Sequence, residues 1–89
     1  MGLETVLFKS EEKKTAKEIA DILRQIADKI ESGSMTLIQS GNETILDFPQ
    51  SMTLEMKVEE EQGRKLQKSF EIELEWTPGE AQEGKATIR

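Results

Sequence analysis

The chain has 89 residues, with 18 acidic and 12 basic side chains, a net charge of −6, and neither histidine nor cysteine. That length supports one small domain, and the missing residue types exclude disulfides, thiolate metal sites and the commonest general base. No stretch approaches the roughly twenty apolar residues of a membrane helix, and the start of the chain lacks the basic-then-hydrophobic pattern of a secretory signal, so a cytoplasmic protein without membrane association is expected.

In chain order, Leu3 to Phe8 is a short β-prone run that predicts a strand over about residues 3–9. Val6 stands where N-myristoylation would need Ser or Thr, which excludes that modification. Next comes the strongest periodic signal: Ile19, Ile22, Leu23, Ile26, Ala27 and Ile30 recur at steps of three and four, with Ala16 and Ala20 beside them. One apolar stripe of the 3.6-residue period predicts an amphipathic helix over 11–32. Ser10 is its candidate N-cap, Glu11 and Glu12 suit the positive end of the dipole, and Gly33 suits the left-handed residue past the last turn. Lys17, Asp21, Arg24 and Asp28 form a solvent-facing row of alternating sign.

After the helix the period switches to two, predicting strands over 35–40, 43–48, 52–60 and 64–76. A two-residue Gly41-Asn42 turn pairs Met35 with Phe48 and Leu37 with Leu46 on one face, and Ile38 with Ile45 on the other. The sequon Asn42-Glu43-Thr44 is then the start of a strand. In the last hairpin a two-residue Gln62-Gly63 turn would set inward Val58 against outward Gln67, so parity selects a three-residue loop, Glu61-Gln62-Gly63, with a left-handed glycine. Val58 then faces Leu66, Leu54 faces Phe70 and Met52 faces Ile72; Glu59 meets Lys65, Thr53 meets Glu71 and Glu60 meets Arg64. The domain is expected to span 1–79, with 80–89 a flexible tail. The fold expected is α+β in two layers: one helix on a mostly antiparallel five-stranded sheet, in the order β-α-β-β-β-β, with the partner of the first strand undetermined.

The opening Val6-Leu7-Phe8-Lys9-Ser10, the Gly41-Asn42 hairpin and the amphipathic ending Phe70-Glu71-Ile72-Glu73-Leu74-Glu75-Trp76-Thr77-Pro78-Gly79 resemble the amphi-Trp domain family over roughly residues 4–79. The resemblance implies the domain limits, and Trp76 as the position matching the family's tryptophan. It implies no activity and no functional residue.

Trp76 is in phase with Leu66, Phe70, Ile72 and Leu74, which makes it a lid over the open end of the core or an aromatic anchor for a partner. Glu71, Glu73 and Glu75 alternate with that core and share the opposite face with Glu55 and Glu59. Such a face is kept by solvent, by cations or by a basic partner. A flat sheet face supplies neither the raised pKa nor the cleft of a carboxylate-pair enzyme, and no aspartate-rich calcium loop is present. Lys13, Lys14 and Lys17 interleave with Glu11, Glu12 and Glu18, and the net charge of −6 opposes nucleic acid binding. The glycines are isolated, without phosphate-cradling spacing.

The last two strands are apolar on one face only, whereas the first three carry apolar residues on both: Leu3 and Leu7 against Val6 and Phe8, Met35 and Leu37 against Ile38, Leu46 and Phe48 against Ile45. One helix covers one face of a sheet, so a second cover is needed. Ile38 and Ile45, with Val6 and Phe8 of the first strand, are the interface candidates, edged by the glutamate face; Trp76 is a further candidate. The functional expectation is a non-enzymatic protein-interaction or self-association module, a homodimer or the receptor of an unidentified protein, with no catalytic residue, metal, cofactor or nucleic acid. The alternative is a small-ligand or cation-binding domain at the Trp76 end or on the glutamate face.

Overall fold

A computed structural model describes residues 2–79, so the tail expected at 80–89 lies outside the described residues. The elements are α1 (Ala16–Ser32), β1 (Ser34–Gln39), β2 (Asn42–Asp47), β3 (Thr53–Gln62) and β4 (Leu66–Glu75). They form an α+β fold, but with two two-stranded antiparallel sheets, β1–β2 and β3–β4, instead of one five-stranded sheet. The chain divides between Phe48 and Pro49 into two compact units: a helix unit and a hairpin unit.

In the helix unit, α1 begins at Ala16, five residues after the expected start. Thr15 is the N-cap: its hydroxyl accepts a hydrogen bond from the Glu18 amide at 3.1 Å, while its own amide donates to Glu18 Oε1 at 2.9 Å. This reciprocal box satisfies two backbone donors, where Ser10, with Lys13 three residues on, offers at most one. It also leaves Lys13 and Lys14 outside the positive end of the helix. Gly33 ends α1 as expected, in the left-handed region at φ 101°, its amide donating to the carbonyls of Ile30 and Lys29. The polar row forms around Asp21, which pairs with Lys17 at 3.1 Å and Arg24 at 2.8 Å.

Helix α1 packs on β1. Ala20, Ile26 and Ile30 on the helix, and Met35, Leu37, Leu46 and Phe48 in and after the hairpin, are half-buried. The Phe48 amide donates to the Gly33 carbonyl at 2.8 Å, tying the end of β2 to the helix terminus.

The β1–β2 turn is Ser40-Gly41, with φ of 52° and 81°, not Gly41-Asn42. Two successive positive φ values match the twist of a tight hairpin, and a glycine second in the turn meets that demand better than a glycine first followed by Asn42. The register therefore moves by two residues: Met35 faces Leu46, Leu37 faces Thr44, Thr36 faces Ile45 and Ile38 faces Glu43. A shift of two preserves which side chains share a face.

The run 3–9 is not a strand. Two side chains bond its carbonyls: the Gln39 side-chain amide donates to Lys9 O at 2.9 Å, and the Thr44 hydroxyl donates to Leu7 O at 3.4 Å. Side chains of the hairpin thus stand in for the backbone ladder that β-propensity alone would suggest.

The hairpin unit is β3–β4, ten residues in each strand, closed by Gly63-Arg64-Lys65. The loop has the expected three residues but sits two positions later, which shifts the register by four: Leu54 faces Leu74, Met56 faces Ile72 and Val58 faces Phe70. Gly63 is not in the left-handed region. The later turn lengthens the ladder and sets Glu60 opposite Lys68, an ion pair at 3.3 Å, with Arg64 released into the loop. Among the described residues of either unit, no hydrophobic side chain is fully buried.

Candidate interaction surfaces

Three surfaces and one cleft come out of these elements. On the β1–β2 hairpin, Ile38 and Ile45 share one face, 67% and 64% exposed, while Met35, Leu37 and Leu46 on the other face are half-buried. The two isoleucines are diagonal neighbours, since each faces a polar residue, Glu43 and Thr36, across the ladder. Val6 is exposed and Phe8 half-buried. Their segment is tethered to Gln39 and Thr44, which alternate with Ile38 and Ile45 and so belong to the opposite face. The structure brings Ile38 and Ile45 together; Val6 and Phe8 belong to the tethered segment.

The glutamate face of β3–β4 separates into two parts. Lys57 lies among the carboxylates, 3.7 Å from Glu59 and 4.0 Å from Glu71, and neutralises that end. Sequence reasoning overlooked it, although Lys57 has the same parity as Glu55 and Glu59. Toward the open end of the hairpin Glu55 stands directly opposite Glu73, with Glu75 next on the same face. A hydrogen bond and charge repulsion from Glu55, followed by repulsion from Glu75, hold the Glu73 carboxyl above its ordinary range. Among the described residues no group of three or more carboxylates is arranged to hold a metal ion.

The third surface is one that sequence reasoning placed inside. The opposite face of the same hairpin carries Leu54, Met56, Val58, Leu66, Phe70 and Ile72, each between 50% and 72% exposed. Alternation identified this face correctly.

Trp76, immediately after β4, is half-buried and lines an open cleft of about 690 Å³ with Pro49, Met52, Thr53, Glu75 and other residues of the hairpin unit. In the basic cluster, Lys14 pairs with Glu12 at 3.0 Å, which raises the lysine pKa through a hydrogen bond and charge attraction, and Lys17 pairs with Asp21. Only Lys13 adds positive charge without such an ion pair. No helix among the described residues is long and apolar enough to cross a membrane.

One helix and two antiparallel hairpins, with apolar strand faces alternating with charged ones, define a small α+β protein. The chain belongs to the Amphi-Trp domain family, whose model matches residues 1–89. No curated protein and no solved structure matches it.

Proposed function

We propose that this chain is a non-enzymatic interaction module of the cytoplasm that self-associates through an apolar sheet face, while the acidic face of β3–β4 opposes the approach of a second copy and suits a basic partner. The observation that carries this reading is the absence of a fully buried hydrophobic side chain among the described residues, alongside two exposed apolar strand faces. Apolar surface of that extent on a small domain marks an interaction site. Sedimentation equilibrium over a concentration series, at low and moderately high salt, tests it. A dimer that tightens as salt screens the glutamates is expected; a monomer at every concentration refutes the reading. The Ile38→Lys, Ile45→Lys double variant tests the half-sheet singled out by the sequence. If that half-sheet carries the contact, losing two buried isoleucines removes at least about 3 kcal/mol, roughly a hundredfold in affinity.

A second reading rests on the cleft beside Trp76, which is large enough for a small ligand and sets a carboxylate, Glu75, next to an indole. A thermal shift series with calcium, magnesium and a metabolite panel tests it, because a ligand that binds only the folded chain raises its melting temperature. No shift across the panel counts against it.

A further inference from the structure

We draw no further inference here: the strongest candidate, the cleft beside Trp76 at the open end of the β3–β4 hairpin, belongs to the surfaces already described, and nothing in the structure shows what fills it.

Discussion

The two units of this molecule use opposite strategies. The helix unit is fixed by local devices: the Thr15–Glu18 capping box, the left-handed Gly33, the Asp21 ion pairs and the bond from Phe48 back to Gly33. The hairpin unit relies on a long ladder with cross-strand ion pairs at Lys57 and Lys68, and its Glu55–Glu73 rung is repulsive. Local devices act without a deep core, whereas a ladder needs something packed on its face. The difference explains how the helix unit specifies its elements although no hydrophobic side chain among the described residues is fully buried.

The comparison breaks most sharply on dissection. A peptide of residues 2–48 is expected to retain part of its helical circular dichroism, and a dilute peptide of 49–79 to lose its strand signal entirely; equal structure in both would refute the contrast. A smaller effect is expected from Gly33→Ala. A Cβ meets no neighbour there, but φ of 101° is strained for any L side chain, so the helix unit loses about 1–2 kcal/mol, read by amide exchange in α1. Thr15→Ala is expected to cost the same helix about 1 kcal/mol, with exchange in β3–β4 unchanged.

The finest effect is a divergence in acid. The Thr15 amide, donating to the Glu18 carboxylate, holds that pKa below its ordinary range. Its contribution is therefore present above the ordinary carboxylate pKa and is lost as pH falls through the lowered folded value. Glu73 has the reverse sign: its pKa is raised beside Glu55, so the hairpin is favoured while Glu73 is protonated and loses that advantage as pH rises through the raised value. The start of α1 is therefore expected to lose amide protection only below the ordinary carboxylate range, whereas protection around Glu55 and Glu73 is expected to rise already as pH falls from neutral through the raised Glu73 value. Glu73→Gln is expected to abolish the second trend and leave the first; a trend that survives the substitution would assign it to other carboxylates.

What the sequence made legible was parity. Both hairpins were expected with the wrong register, by two residues at Ser40-Gly41 and by four at Gly63-Arg64-Lys65, yet every face assignment holds because even shifts do not exchange faces. Register depends on which turn dipeptide wins and on which cross-strand ion pair forms, and those preferences differ by little energy. The C-terminus of α1 was legible in Gly33, since only glycine adopts that φ cheaply. The N-terminus was misplaced at Ser10 although Thr15-Ala16-Lys17-Glu18 spells a capping box, because acidic Glu11 and Glu12 imitate a first turn. Ile38 and Ile45 were placed on one face correctly but as a facing pair, whereas the ladder makes them diagonal neighbours, each opposite a polar residue.

The attachment of residues 7–9 has a consequence of its own. A strand hydrogen-bonded into a ladder leaves only if several backbone bonds break in concert, but this segment is fastened like a garment with two buttons, Gln39 and Thr44. Each button is a single side chain, and neither takes part in the β1–β2 backbone ladder through that group. Two substitutions, Gln39→Ala and Thr44→Val, therefore remove both fastenings while the β1–β2 backbone ladder stays whole, and the half-buried Phe8 is left as the remaining hold on the beginning of the chain.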